Sequence, residues 1–495
     1  MRRVTRKTIA AVLAVLCICA LMLTGCVTVP AEQVTLGNIW QSETIGNTTL
    51  VDEVTETTED KIVLRIVIEE GSDETIRFDE LLMQQIEFYE VLHKNVEFVL
   101  EYIPKTDGND VALQRIRSEM LAGDGPDIFL LSCEQKYKTK PLILDVNQAM
   151  RNGLFADISK FYDEDTELGK DALNSTIMDA GVVNGARYVL PIRYNFPVAY
   201  VNADKLTETE LSGVKQGIIS LMDTVAQSAD KSLASGALLA NVRAKYTLNF
   251  FPNILDYDNQ EILITKEELM TYMRSYQAVR SIEGGGQNRV HIFTYLNHFP
   301  TPYWAETTDC LLLDDLEAAI ANIAMAEVYG VNLEMIPLTA PDGSLIADVT
   351  FYGAIGAKCK HPDVAYDFLR QFLTEDVQWE TKMQTWGDYT KPTGLGREGW
   401  PVRTKGSVAP LAKGIYFQNH GVSSERMKEL KLLEMTDEDI PLLQAKIDKV
   451  RFSIPLELDL EKKIREELNA NSTESDMSEL ADQWLKALEW HLYEG

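Results

Sequence analysis

Two short apolar runs are followed at once by polar side chains that can bind a small molecule. The run Ile128–Leu131 reads as a buried strand, and Ser132, Cys133 and Glu134 come directly after it. Asp314 follows another apolar run in the same way. Ligands of parallel α/β sheets bind beyond the carboxyl ends of the strands, so these side chains are candidates for hydrogen bonding to a solute.

The sequence lacks the common patterns of catalysis and metal binding. It has six histidines but no H-E-x-x-H, no G-x-S-x-G and no Walker loop. The segment Gly394–Gly399 matches G-x-G-x-x-G, yet it follows Lys391-Pro392-Thr393, where a dinucleotide-binding loop would follow a strand. With 76 acidic residues, carboxylate pairs arise by chance and do not indicate a glycosidase. We expect no catalytic residue, no metal ion and no cofactor.

Hydrophobic spacing predicts the sheet that these strand-end positions require. From Lys61 to Ile68 apolar residues lie on both alternating faces, which favours a strand covered on both sides. Helical spacing follows from Phe78 to Leu92, a strand pattern from Val96 to Tyr102, and a second helix from Val111 to Leu121. This order of strand, helix, strand, helix and strand is typical of an α/β fold with helices on both faces of a parallel sheet.

The amino terminus carries an export signal. An apolar run of about 15 residues, shorter than a membrane span, lies between basic residues and the sequence Leu23-Thr24-Gly25-Cys26. That ending resembles the lipobox of bacterial lipoproteins, which implies removal of residues 1–25 and lipidation of the Cys26 thiol. The alternatives are an ordinary secretory signal or an uncleaved anchor.

The chain is strongly acidic, and the part beyond the signal is long. The net charge is −29, and removal of the four cations of the signal leaves about −33, which argues against nucleic acid as a partner. Residues 26–60 are polar and lack periodicity, and they predict a flexible tether. The remaining stretch exceeds what one hydrophobic core supports, so two lobes are expected. Its three cysteines, an odd set without a C-x-x-C pair, indicate neither a disulfide framework nor a zinc knuckle.

A series of motifs resembles extracellular solute-binding protein family 1, the relatives of maltose-binding protein. The segment Glu119–Phe129 resembles the family's A-G-x-G-P-D-I block, and Asn184–Asn202 resembles its N-G-x-x-Y-x-L-P hairpin. Further similar blocks, in the family's order, are Leu154–Phe161, Val331–Gly343, Thr350–Pro362 and Gly399–Arg403. Cys359 stands where the family usually has Ser. The blocks cover most of the chain beyond Lys61.

The resemblance implies a bilobal α/β fold of the periplasmic-binding-protein-like type II class. About three chain crossings would form the hinge, near Tyr194, near Tyr352 and after Arg403. Each lobe would be discontinuous, with residues 61–193 and 352–403 in the first lobe and residues 194–351 and 404–495 in the second. Rotation about the crossings would close a cleft on a solute that touches both lobes.

The cleft implied by the resemblance suits a sugar. A pyranose has apolar C–H faces and a rim of hydroxyls, so sugar sites combine flat aromatic rings with planar polar groups. The candidate ligand-binding residues are Glu134, Tyr194, Asn195, Phe196, Trp304, Asp314, Phe351, Tyr352 and Trp386. For each of them, a packed core or surface position is the alternative to ligand contact.

We therefore interpret the sequence as a non-catalytic, lipid-anchored solute-binding component of an ABC importer. It would reside outside the cytoplasm, anchored to the bacterial cell membrane through Cys26. As a monomer it would deliver a mono- or oligosaccharide to a permease and its ATPase. A peptide, an amino acid or another non-sugar solute is the alternative ligand. A secreted glycoside-acting enzyme and a sensory or adhesive lipoprotein are the alternative functions.

Overall fold

The computed structural model describes residues 60–69, 76–103, 109–133, 141–196, 198–202, 207–227, 254–282, 310–313, 333–379, 400–404, 446–469 and 471–494. They belong to one compact unit that runs from Glu59 to Gly495. Among the helices of these ranges, none is both long enough and apolar enough to cross a membrane. The predicted signal peptide, Cys26 and nearly all of the predicted tether lie outside the described residues.

Strands and helices alternate along much of the described chain. The strands are β1 (Ile62–Glu69), β2 (Val96–Ile103), β3 (Ile128–Ser132), β4 (Val182–Val183), β5 (Ala186–Arg187), β6 (Val189–Asn195), β7 (Val198–Asn202), β8 (Leu255–Asp256), β9 (Glu261–Ile262), β10 (Cys310–Leu313), β11 (Leu333–Pro337), β12 (Leu345–Ile355), β13 (Trp400–Pro401) and β14 (Ile447–Arg451). The helices are α1 (Ile76–Leu92), α2 (Asp110–Ala122), α3 (Val146–Arg151), α4 (Ser159–Glu164), α5 (Ser175–Asp179), α6 (Glu208–Val214), α7 (Ile218–Gln227), α8 (Lys266–Ile282), α9 (Pro362–Arg370), α10 (Glu375–Trp379), α11 (Pro455–Glu467) and α12 (Glu474–Glu494). Two 3₁₀ turns are Lys170–Ala172 and Gln371–Leu373.

A seven-stranded sheet, with strands from both early and late parts of the sequence, organises one body of the unit. Its order is β13-β6-β12-β3-β1-β2, and β14 also pairs with β12. Strand β1 is parallel to both β2 and β3, as the strand–helix alternation predicted. Strand β12 runs antiparallel to β3 and β6, so the carboxyl ends of β1, β3 and β6 lie at one edge of the sheet.

Helices cover both faces of this sheet. The side chains of Leu64 and Ile66 lie in a buried cluster with residues of α1 and α9, whereas Val67 lies in a second cluster with residues of α2 and α3. The prediction that β1 is covered on both sides is confirmed. We call the large sheet and its two clusters lobe 1.

A second body is built mainly from helices. This body contains the antiparallel sheet β10-β7-β11 and the helices α6, α7, α8, α11 and α12. A separate buried cluster joins them, to which Leu221, Met273, Leu338, Leu460 and Trp484 belong. The apolar residues Leu480, Trp484 and Leu488 of the C-terminal helix α12 are therefore part of this core. We call this body lobe 2.

In the described residues the chain passes from one lobe to the other between β6 and β7, between β11 and β12, and between β14 and α11. The last passage is short, because Phe452 packs in lobe 1 and Ile454 packs in lobe 2. The second passage comes earlier than the expected position near Tyr352, because β12 belongs to the large sheet from Leu345 onward. Pairing with β14 extends β12 at its amino-terminal end, and no sequence motif predicted this pairing.

Glycine, proline and asparagine residues lie at the ends of several elements. Helix α2 ends at Gly123, and Pro362 occupies the first turn of α9. Asn184 and Gly185 have φ values of 52° and 80°, the left-handed conformations that a tight β-hairpin needs at both central positions. This hairpin joins β4 to β5 and leads into β6, the strand that ends at Asn195.

Candidate functional site

The carboxyl ends of three parallel strands meet at one edge of lobe 1, beside the passages to lobe 2. Their last residues are Glu69, Ser132 and Asn195. Such edges hold the ligands of α/β sheets. The Glu69 carboxylate accepts a hydrogen bond of 3.0 Å from the Leu142 amide, so this side chain helps to hold the segment that precedes α3. The structure therefore places polar groups of β1, β3 and β6 at the same edge.

A small cavity of about 10 Å³ lies at this edge. Cys133 and Tyr352 line it together with Glu69, Ser132 and Ser453. A cavity of this size holds about one water molecule. In the arrangement that the described residues adopt, a sugar does not fit there, so binding at this edge requires movement of the lobes or of the adjoining loops.

Asn195 is buried, and its side chain forms no hydrogen bond with the residues that the structure describes. It is 4% exposed, and neither its Nδ2 nor its Oδ1 has a partner in the described structure. Its strand neighbours Tyr194 and Phe196 stack on each other, so strand alternation places Asn195 on the opposite face of the sheet. Leaving a buried polar group unpaired costs about 1–3 kcal/mol. A cost of this kind at a strand end is typical of a position that serves function.

The predicted aromatic residues of β6 and β12 are packed in the protein interior. Tyr194, Phe196, Phe351 and Tyr352 are at most 4% exposed. Phe196 contacts Trp400 with a ring-centroid distance of 5.0 Å, and Tyr352 meets Phe452 edge-on at 5.9 Å. Burial raises the pKa of Tyr352 well above its ordinary value. In this arrangement their ring faces are covered by protein, and their roles in ligand binding stay predictions.

The structure brings five of the predicted site residues close together on two paired strands. Tyr194, Asn195 and Phe196 end β6 or follow it, and Phe351 and Tyr352 lie on the adjacent β12. The other predicted residues lie outside the described part of the chain, namely Glu134, Trp304, Asp314, Trp386 and the lipidation site Cys26. Their roles stay predictions as well.

A buried charge cluster joins β12, β14 and α11. Arg451 Nε donates to Asp348 at 2.7 Å, and its two terminal nitrogens donate to Glu457 at 3.1 and 3.2 Å. Burial raises the pKa of Glu457 to about 7. Burial alone would lower the pKa of Arg451, but the two carboxylates hold it above its usual value. The cluster lies at the last passage between the lobes and ties the large sheet to the first turn of α11.

A larger cavity of about 380 Å³ opens between the two lobes, a volume within the range of small-molecule sites. Its polar lining consists of Asn147, Arg151, Asp179, Asp256, Tyr257, Asp258, Arg451 and Glu457. Phe452 and Ile454 line this cavity, whereas Ser453 lines the small one, so the last passage separates the two. Of the predicted site residues in the described ranges, Tyr194, Asn195, Phe196, Phe351 and Tyr352, none lines it. Sequence reasoning missed this cavity because its walls come from distant segments that share no motif.

Groups of metal-binding side chains are absent from the part of the chain that the structure describes. Cys359 is a free thiol there. Burial raises the pKa of the Cys359 thiol to about 12, so this cysteine stays protonated and behaves as a small apolar residue.

The chain resembles known proteins in its structure and not in its sequence. No protein-family model matches the sequence, and no curated protein matches it. The chain is similar to the galacto-N-biose-/lacto-N-biose I-binding protein of the ABC transporter from Bifidobacterium longum, in complex with lacto-N-biose. The TM-score is 0.51 and the identity 12%, over 87% of this chain and 98% of that chain.

Two further solved structures show weaker similarity. One is an extracellular solute-binding protein family 1 from Alicyclobacillus acidocaldarius, with a TM-score of 0.49 and 12% identity over 88% of this chain and 99% of that chain. The other is the cyclic alpha-maltosyl-1,6-maltose binding protein from Arthrobacter globiformis, with a TM-score of 0.49 and 14% identity over 88% of this chain and 100% of that chain. At the level of fold, the expectation from the sequence motifs is confirmed by the Bifidobacterium protein. The chain has the bilobal α/β fold of the extracellular solute-binding proteins.

Proposed function

We propose that this protein is the solute-binding component of an ABC importer. It binds a saccharide where its two lobes meet and passes it, chemically unchanged, to a membrane permease and its ATPase. One observation carries the proposal beyond the fold, namely the buried and unpaired carboxamide of Asn195 at the lobe junction. A carboxamide both donates and accepts hydrogen bonds, which matches the demands of a sugar hydroxyl.

The lobes of this receptor follow the packing clusters. Among the described residues, lobe 1 comprises those up to residue 196, those from 345 to 404 and those from 446 to 452, and lobe 2 comprises those from 198 to 340 and from 454 onward. These bounds keep each buried cluster within one lobe. The hinge then consists of the passages that follow β6, β11 and β14, and it carries Asn195 at one end.

The saccharide class is supported by two features. The Bifidobacterium protein that shares the fold is described in complex with lacto-N-biose. In this chain, Trp304 and Trp386 are the candidates that would face a sugar ring. The anchor is supported by the lipobox-like sequence that ends at Cys26, which would hold the mature protein outside the cytoplasm.

A melting-temperature screen of the chain from Val27 onward tests the proposal. A ligand at a hundredfold its dissociation constant adds about 2.7 kcal/mol to the stability of the protein that binds it. We expect at least one mono- or oligosaccharide to raise the melting temperature, and Asn195→Leu to make that rise clearly smaller. Asn174→Leu is the matched control, because Asn174 is also buried but caps α5 within lobe 1. If amino acids or peptides raise the melting temperature while every sugar fails, the saccharide class is wrong.

A further inference from the structure

We propose that a set of side-chain contacts between the lobes, the interlobe lock, fixes their relative arrangement in the absence of any solute. Three residues of lobe 1 and three of lobe 2 form it. They are Asp145, Gln148 and Arg151 on one side, and Tyr257, Asp258 and His491 on the other. The proposal rests on the two lobes and not on the identity of the solute, so its failure would leave the proposed function standing.

The Asp145 carboxylate is the centre of the lock. Its Oδ1 accepts the Gln148 amide at 3.0 Å and caps α3. Its Oδ2 contacts two groups of lobe 2, the Tyr257 hydroxyl at 2.5 Å and His491 Nε2 at 2.7 Å. The side chain is only 2% exposed, so water does not compete for these contacts. Burial, with the nearby Asp145 charge, raises the pKa of Tyr257 above its ordinary range, so the phenol remains a hydrogen-bond donor.

The remaining contacts extend the lock along α3. Gln148 Nε2 donates to the His491 carbonyl at 2.9 Å, and Arg151 Nε donates to Asp258 at 3.0 Å. The Arg151 guanidinium also lies 5.1 Å from the centre of the Tyr257 ring, a cation–π distance. Asp145, Gln148 and Arg151 are spaced three apart, which puts them on one side of the helix. The N-cap residue of α3 and one face of this helix therefore provide these contacts of lobe 1.

The lock adjoins both cavities and the charge cluster. Arg151, Tyr257 and Asp258 line the larger cavity, and Val146, the first residue of α3, lines the small one. Rotation of the lobes would separate α3 from the β8–β9 hairpin and from the end of α12. A solute that requires another arrangement of the lobes must therefore break these contacts. The free energy of the broken contacts makes the binding of that solute weaker.

Hydrogen exchange of the full-length chain without solute tests the lock. In Tyr257→Phe/His491→Phe the Asp145 side chain keeps its capping bond to α3 but loses both partners from lobe 2. We expect amides of residues 146–151, 255–262 and 488–494 to exchange about tenfold or more faster than in the wild type, because two hydrogen bonds to a buried charge are removed. Amides of the large sheet should keep their wild-type rates.

Tyr366→Phe is the matched control. The Tyr366 hydroxyl also donates to a buried carboxylate, Asp165, at 3.0 Å, but both residues belong to lobe 1. This variant should leave exchange in α3 unchanged. The proposal is overturned if the double variant exchanges in α3 within about twofold of the wild type, or if Tyr366→Phe accelerates α3 equally. If the double variant does not fold, Tyr257→Phe alone must accelerate the same three segments, and an unchanged rate there overturns the proposal too.

Discussion

Arg451 and Glu457 form a buried ion pair across the boundary between the lobes, with nitrogen–oxygen distances of 3.1 and 3.2 Å. The two residues are near in sequence, yet Arg451 ends a strand of the large sheet and Glu457 lies in the first turn of α11. The chain thus passes from lobe 1 to lobe 2 between the two partners. Asp348 completes the cluster from β12, so the hinge is held by side-chain charges as well as by backbone.

The raised pKa of Glu457 predicts a pH dependence of stability. Burial raises this pKa from 4.5 to about 7, so the folded protein holds the proton more tightly than the unfolded chain. Its contribution to stability is complete below the unfolded pKa and is lost as pH rises through about 7. Melting temperatures measured between about pH 5 and pH 8 should fall more steeply in the wild type than in Glu457→Gln.

The control for this pH dependence is Glu474→Gln. Glu474 is exposed, and its hydrogen bond with Arg274 lowers its pKa, so it does not titrate in this pH range. The variant should keep the wild-type slope. Equal slopes for the wild type and Glu457→Gln would show that Glu457 does not change its protonation there.

Replacing Arg451 should be strongly destabilising. Arg451→Met leaves Asp348 and Glu457 buried without their counter-charge, which costs about 3–5 kcal/mol in the free energy of unfolding. Urea denaturation measures this loss. Arg274→Met is the control, because Arg274 forms its ion pairs with Glu267 and Glu474 at the surface, and it should change stability little. Similar losses in the two variants would contradict the importance of the buried cluster.

Asn195 and Asn174 should respond in opposite directions to the same substitution. Asn195→Leu removes an unpaired buried carboxamide and should stabilise the solute-free protein by about 1 kcal/mol. Asn174→Leu removes the oxygen that accepts the Ile177 amide at 3.2 Å and should cost about 1 kcal/mol. Urea denaturation of both variants checks the signs. If Asn195→Leu destabilises the protein, the Asn195 carboxamide does not lower stability, and the argument that it is kept for binding fails.

The elements of lobe 1 could be predicted because their signals are local. The alternation in β1, the end of α2 at Gly123 and the Asn184-Gly185 turn each depend on a few neighbouring residues. Two motif blocks also contact each other directly. The Gly356 amide donates to the Asp127 carbonyl at 2.8 Å, and a Cβ at Gly356 would lie 2.3 Å from the Pro126 carbonyl oxygen. The two blocks thus meet in one packing contact.

The candidate site was predicted less well, for a physical reason. An aromatic residue after a strand looks the same in a sequence whether it packs in a core, as Tyr194 does, or lines a cleft. The interlobe lock had no sequence signal, because Asp145 lies 112 residues from Tyr257 and 346 from His491. Asn195 could be proposed because it ends a strand at a predicted passage, but its lack of partners is visible only in the structure.

Titration calorimetry of the chain from Val27 onward with the saccharide that most raises its melting temperature, followed by chromatography of the recovered sugar, decides whether this is a receptor. We predict one saccharide bound per chain and recovered unchanged, with binding at least about tenfold weaker in Asn195→Leu and retained in Asn174→Leu. Conversion of the sugar, or equal affinity in the wild type and Asn195→Leu, would contradict binding at the lobe junction without chemistry.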